Sequence, residues 1–113
     1  MERAELTIGV QRTADELILT LAGEIDMLTA ARLSSVVNDA LAAEPPPRIV
    51  LDLGGVTFCD SQGLGTLVVL SRKASHAQSL LVLANVGDFL LRVLDITGLR
   101  SALMIRNEQG STS

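Results

Sequence analysis

The residues of this chain that could do chemistry gather in one stretch, Val50-Leu51-Asp52-Leu53-Gly54-Gly55-Val56-Thr57-Phe58-Cys59-Asp60-Ser61-Gln62-Gly63-Leu64-Gly65. Apolar spacing at Leu64, Leu67 and Val68 predicts a helix that starts close to Ser61. It follows the β-branched and apolar run Ile49 to Leu53, which reads as a buried central strand. A hydroxyl at that helix start is exposed, and the first helical turn carries unpaired N–H groups and about +0.5 of a charge. A phosphate on Ser61 would find donors and a favourable dipole there, and would add about −1.5 to −2 of charge to the surface. On position alone, simple capping of the helix by the same hydroxyl is the plainer reading.

The remaining candidates point away from catalysis. Gly63 and Gly65 form only G-L-G, without the full G-x-G-x-x-G pattern and without a following Lys-Ser or Lys-Thr pair, so no nucleotide loop is expected. These glycines read instead as positions of close backbone approach. One cysteine, Cys59, and one histidine, His76, exclude an internal disulfide and a structural zinc site. No Ser-His-Asp set, paired-carboxylate motif or cofactor fingerprint can be assembled, so no catalytic residue, metal or cofactor is expected. Cys59 beside a helix N-terminus supports a redox reading, because a thiolate there has a lowered pKa; the plainer reading is a small buried apolar residue. His76, without companions, reads as a solvated surface residue.

The elements that must position Ser61 follow from periodicity. Ala4 to Gln11 and Glu16 to Ala22 predict a β-hairpin around the polar Arg12-Thr13-Ala14-Asp15, with Gly23-Glu24-Ile25-Asp26 breaking the second strand. Leu33, Val36, Val37, Ala40 and Leu41 form one helical face, capped by Asp26 or Thr29 and ended before Pro45-Pro46-Pro47. After the central strand and the helix at Ser61 come a strand from Ser79 to Ala84 and a third helix. Asn85 would cap that helix, Val86, Phe89, Leu90, Val93 and Leu94 would face the core, and Gly98 would close it. A short strand over Leu103 to Ile105 and a fraying polar tail complete the chain. The order ββαβαβα(β) predicts a single α/β domain over residues 4–106, a mixed sheet of four or five strands with three to four helices packed on it, and a flexible tail over 107–113.

With 113 residues there is room for one domain, burying roughly 65% of its unfolded surface. Trp and Tyr are absent and only Phe58 and Phe89 are aromatic, so aliphatic side chains must fill the core. The net charge of −4 is scattered, which offers no basic stripe to nucleic acid or to an anionic membrane. No stretch approaches the ~20 apolar residues of a membrane span and no signal pattern opens the chain, so a cytoplasmic protein is expected.

Three motifs, in order, resemble the STAS domain family, named for sulfate transporters and anti-sigma factor antagonists. Leu21-Ala22-Gly23-Glu24-Ile25-Asp26 is similar to the family's L-x-G-E-(I/L)-D, and Ile49 to Gly65 is similar to its strand, D-S-x-G-L loop and helix start. Leu94-Asp95-Ile96-Thr97-Gly98-Leu99 is similar to its late helix ending in T/S-G-L. The resemblance implies a bacterial anti-sigma factor antagonist of STAS-like fold, a monomer or weak dimer. Unphosphorylated, it would bind an ATP-binding anti-sigma factor Ser kinase and so free a sigma factor for transcription. That kinase would phosphorylate Ser61, ending the binding, and a PP2C-type phosphatase would reverse the step. Chemistry on ATP would belong to the partner.

The resemblance further implies partner-contact roles for Asp26, Asp60, Gln62, Gly63 and Leu64 around the phosphorylated Ser61. Asp26 and Asp60 also read as helix caps, and Leu64 also reads as core at its spacing with Leu67 and Val68. Gln62 stands where many phosphorylated members have Ser or Thr, a departure that bears on partner choice or turnover. Within the same family, a constitutive subunit of an ABC lipid-transport or stress-signalling complex is the competing reading, one that needs no phosphate switch.

Overall fold

The computed structural model describes residues 5–106. Strand β1 (Leu6–Arg12) turns back on β2 (Glu16–Ile25) as an antiparallel pair. The turn is closed by Thr13: its N–H donates to the Glu16 carbonyl at 2.8 Å and its Oγ1 accepts from the Glu16 N–H at 3.0 Å. From there every crossover is through a helix and every pairing is parallel, as strand–helix–strand order requires. Helix α1 (Met27–Ala43) leads to β3 (Arg48–Cys59), α2 (Ser61–His76) to β4 (Leu80–Ala84), and α3 (Asp88–Thr97) with a 3-10 turn (Leu99–Ala102) to β5 (Met104–Arg106). The five strands lie in the order β1-β2-β3-β4-β5, so the mixed sheet is the expected one in its fullest form.

Register shows why the core forms. Leu17, Ile49 and Leu81 stand side by side across three strands, and Leu19, Leu51 and Leu83 form the next row; all six are buried. Because strand side chains alternate between faces, both rows point to one side. There they meet Leu33 and Val37 of α1, Leu67, Leu70 and Ala74 of α2, and Leu90 and Leu94 of α3 in one buried cluster. All three helices therefore cover the same face, while Glu16, Ile18, Arg48, Val50 and Val82 occupy the other.

Four expectations are corrected. Strand β2 does not break at Gly23 but runs to Ile25, because Gly23 adopts φ +119° and passes the Glu5 carbonyl where any Cβ would collide with it. Strand β3 does not stop at Leu53: it continues through the two glycines to Cys59, with two register shifts against β2. A Cβ at Gly55 would lie 2.8 Å from that of Ala22, so the missing side chain lets the irregular strands stay paired. Asn85 does not cap α3; Gly87 does, and Asn85 takes a left-handed φ of 53° while its Nδ2 donates to Asp52 Oδ1 at 3.1 Å. Phe89 lies off the core face, 60% exposed, because Leu90 and Leu94 define that face and a neighbour is turned about 100° around the helix. Gly98 closes α3 in the left-handed conformation as expected, and β5 starts one residue later than the sequence suggests. The tail expected over 107–113 lies outside the described residues.

Candidate functional site

The C-terminal ends of β2 and β3 lie side by side, with Ile25 paired to Cys59, and each feeds a helix. Asp26 caps α1. Its Oδ1 accepts from the Leu28 and Thr29 N–H groups at 2.9 Å each, while the Asp26 N–H donates to Thr29 Oγ1 at 2.9 Å, a reciprocal capping box. The Thr29 hydroxyl in turn donates to the Glu24 carbonyl at 2.8 Å. The Thr29 N–H bond, supported by that of Leu28 against partial loss of hydration, holds the Asp26 carboxyl below its usual pKa. Both expected cap positions are therefore used at once, Asp26 as the cap and Thr29 as its counterpart.

Asp60 caps α2 through a single bond, its Oδ1 accepting from the Gly63 N–H at 2.8 Å. This places Ser61 at the first helical position rather than at the cap. Its side chain is exposed, and its hydroxyl makes no hydrogen bond among the described residues. The reading of Ser61 as a mere cap is thereby corrected: the residue before it already does that work, and the fold makes no use of the hydroxyl.

The two caps are fixed to one another. The Asp60 N–H donates to the Ile25 carbonyl at 3.0 Å. Gly63 is buried against the same residue, where a Cβ would come within 2.7 Å of the Ile25 Cγ2 and carbonyl oxygen and 3.1 Å of Cys59 Sγ. A side chain at Gly63 would push the first turn of α2 off the end of β2, so the close approach expected for the glycines holds there. It does not hold at Gly65, which has nothing within 4 Å of a Cβ position.

The sequence-derived contact residues thus divide. Asp60 and Gln62 flank Ser61 and Asp26 caps the neighbouring helix start, and each of the three is at least partly accessible. Gly63 is interior, and Leu64, 6% exposed, packs in the core beside Leu67. The outward apolar contact considered for Leu64 is therefore corrected to its core alternative, because its helical face turns toward the sheet. Beside Ser61 a shallow groove between α1 and α2 is lined by Ser34, Ser61, Gln62, Gly65, Thr66 and Val69.

Cys59 takes the plainer of its two readings, a small buried residue, and not the redox one. Burial, and then the charge of Asp60, push its thiol up to about 11, the opposite of an activated thiolate. Cys59 is 8% exposed and belongs to the core cluster, where loss of hydration is the larger of the two causes. His76 is exposed at the last position of α2. Among the described residues no group of three or more His, Cys, Asp or Glu could hold a metal ion, and no helix is long and apolar enough to cross a membrane.

One feature of this end of the molecule escaped sequence reasoning. Met27 and Leu28, the first two residues of α1, are 62% and 69% exposed beside the Asp26 cap. Their signal was present: both precede the Leu33/Val37 face and neither has a place on it.

Comparison with known proteins places this geometry. Residues 8–106 match the family described as "Mlab, STAS domain". An anti-sigma-B factor antagonist of Listeria monocytogenes is 36% identical over 102 residues, covering 88% of this chain and 87% of that protein. The fold matches the anti-sigma factor antagonist SpoIIAA in its unphosphorylated form, with TM-score 0.75, 19% identity and 90% of each chain covered. It also matches the Bacillus cell fate determinant SpoIIAA in the phosphorylated form, with TM-score 0.71, 19% identity, and 90% of this chain and 93% of that chain covered.

Proposed function

As the chain belongs to the STAS domain family, we propose that it is an anti-sigma factor antagonist: unphosphorylated, it binds an anti-sigma factor Ser kinase and frees a sigma factor, and phosphorylation of Ser61 ends that binding. The observation that carries this reading is the exposed, unbonded Ser61 hydroxyl beside a helix cap that is already filled by Asp60. A fold gains nothing from such a hydroxyl, whereas a kinase gains an accessible nucleophile on a rigid helix start. In the transfer, Ser61 Oγ bonds to the γ-phosphorus of ATP, the bond to the β,γ-bridging oxygen breaks, the hydroxyl proton passes to a base on the kinase, and ADP departs. The Listeria relative carries the antagonist name, and structures of the same fold named SpoIIAA are described in an unphosphorylated and in a phosphorylated form.

The switch follows from local electrostatics. Asp60 already occupies the Gly63 N–H, so a phosphate on Ser61 would not displace the cap and the domain would stay folded. It would add about −1.5 to −2 of charge beside the Asp60 and Asp26 carboxylates, and a partner closing over that face would have to strip its hydration. A nucleotide held by the partner opposite Ser61 would repel it further. Removal of the phosphate by a PP2C-type phosphatase would restore the uncharged face.

The test is affinity capture from lysate of the native source with Ser61→Ala and Ser61→Asp as paired baits. Ser61→Ala is expected to retain an ATP-binding anti-sigma factor. Ser61→Asp should fold with an unchanged circular dichroism spectrum but bind more weakly by ~1–3 kcal/mol, roughly 5- to 150-fold. Equal capture of an ABC ATPase or a scaffold complex by both baits would instead mean a constitutive subunit.

A further inference from the structure

Met27 and Leu28 occupy the first two positions of α1, where exposed polar or acidic side chains suit the helix dipole better than large apolar ones. They bury little in the fold: the core face of α1 begins at Thr29 and Ala30 and continues through Leu33 and Val37. They also share a rim with Ser61, because the Asp60 N–H is bonded to the Ile25 carbonyl and Gly63 is packed against Ile25, two residues before Met27. That rim has one sign of charge. The charged residues of segments 23–31 and 54–71 are Glu24, Asp26 and Asp60, with no Lys or Arg in either. The next cation along α1, Arg32, is turned to the Leu6 carbonyl, to which its Nη1 donates at 2.7 Å.

We propose that Met27 and Leu28 are the apolar anchors by which the anti-sigma factor kinase grips this face, and that the kinase presents to them an apolar recess flanked by basic side chains. The inference rests on the antagonist reading of Ser61 and adds to it the chemistry that selects the partner. The two anchors supply buried apolar contact, and the carboxylates around them supply charge complementarity that orients the approach and excludes acidic competitors. Ser61 lies beside the anchors, so the face that grips is the face that the phosphate closes.

The experiment titrates the full chain into each purified, ADP-loaded anti-sigma factor Ser kinase encoded by the source genome, by calorimetry at low and high salt. The variants are Met27→Ser/Leu28→Ser, the apolar control Met27→Leu/Leu28→Met, Glu24→Gln, and Ser61→Asp. Met27→Ser/Leu28→Ser should melt like the parent and lose affinity on the order of 10-fold or more at both salt concentrations, while the apolar control binds like the parent. Glu24→Gln should lose affinity chiefly at low salt, where surface charge is least screened. Undiminished binding by Met27→Ser/Leu28→Ser, with Ser61→Asp still weakened, would overturn the anchors and leave the antagonist reading standing. A parent chain that binds none of these kinases would overturn both.

Discussion

Asp60, Ser61 and Gly63 divide three tasks that a shorter motif would have to combine. The carboxylate holds the helix end, the glycine lets that end sit against Ile25, and the hydroxyl between them is left to the solvent. This division gives a prediction about Gly63. Gly63→Ala introduces a methyl group at 2.7 Å from the Ile25 carbonyl oxygen, a backbone atom that cannot turn aside as a side chain would. The variant should be destabilised by about 1–3 kcal/mol, the usual range for an overpacked interior site. Urea denaturation should show a lower midpoint at an unchanged slope. An unshifted midpoint would mean that the two helix starts are not locked together as described. Residue types alone do not assign these tasks. Ser, Asp and a following glycine were legible as a helix start, but which of the two polar residues caps depends on one position of register. Cys59 shows the same limit, since its neighbourhood in sequence suggests a helix start and only its depth in the fold shows a thiol whose pKa is raised by burial.

At the scale of elements, apolar periodicity located every helix and strand, and the errors fall where backbone geometry rather than burial decides. In sequence Gly23, Gly54 and Gly55 look like breaks, yet β2 and β3 run through them. In the sheet they accommodate irregular pairing, and the extension carries Ile25 and Cys59 to the point where they fix the two caps. The capping box of α1 is legible in Asp26 and Thr29, whereas the cap of α3 at Gly87 is not, because nothing local distinguishes Asn85 in a turn from Asn85 at a helix end. Helix α2 holds a further oddity, Gly65 in its interior with open space where its side chain would be. A glycine there weakens the helix by ~1 kcal/mol relative to alanine and offers the core nothing in return. Gly65→Ala should therefore raise stability by about 0.5–1 kcal/mol, read as an upward shift in melting midpoint. Gly65 also lines the groove beside Ser61, so on the proposed function the same variant should bind its kinase partner more weakly. Gain of stability with unchanged binding would show that the groove floor is not approached by the partner.

Across the whole molecule, the proposed switch at Ser61 and an ion-pair clamp at Glu16 lie at opposite ends of the strands. Ser61 follows the C-terminal end of β3, whereas Glu16 opens β2, which at ten residues spans roughly 30 Å. On the face without helices, Glu16 Oε2 accepts from Arg48 Nε at 2.9 Å and from Arg106 Nη1 at 3.2 Å, joining β2 to β3 and to the three-residue edge strand β5. The Arg48 bond first, and the Arg106 bond with it, holds the Glu16 carboxyl below its usual value of 4.5. A carboxyl with a lowered folded-state pKa contributes stability that is complete above its unfolded pKa and is lost as pH falls through the folded one. The melting midpoint of the parent should therefore decline more steeply than that of Glu16→Gln between about pH 5 and pH 3, with the two curves converging at the acid end. Hydrogen exchange at neutral pH should show faster opening of residues 104–106 in Glu16→Gln, because β5 then loses the Arg106 ion pair that ties it to β2. Kinase affinity should be unaffected, and in the double variant with Ser61→Asp the effects on stability and binding should add, as expected for sites that share no partners. Coupling between the two would mean that phosphorylation is felt through the sheet, and the switch could no longer be confined to the face around Ser61.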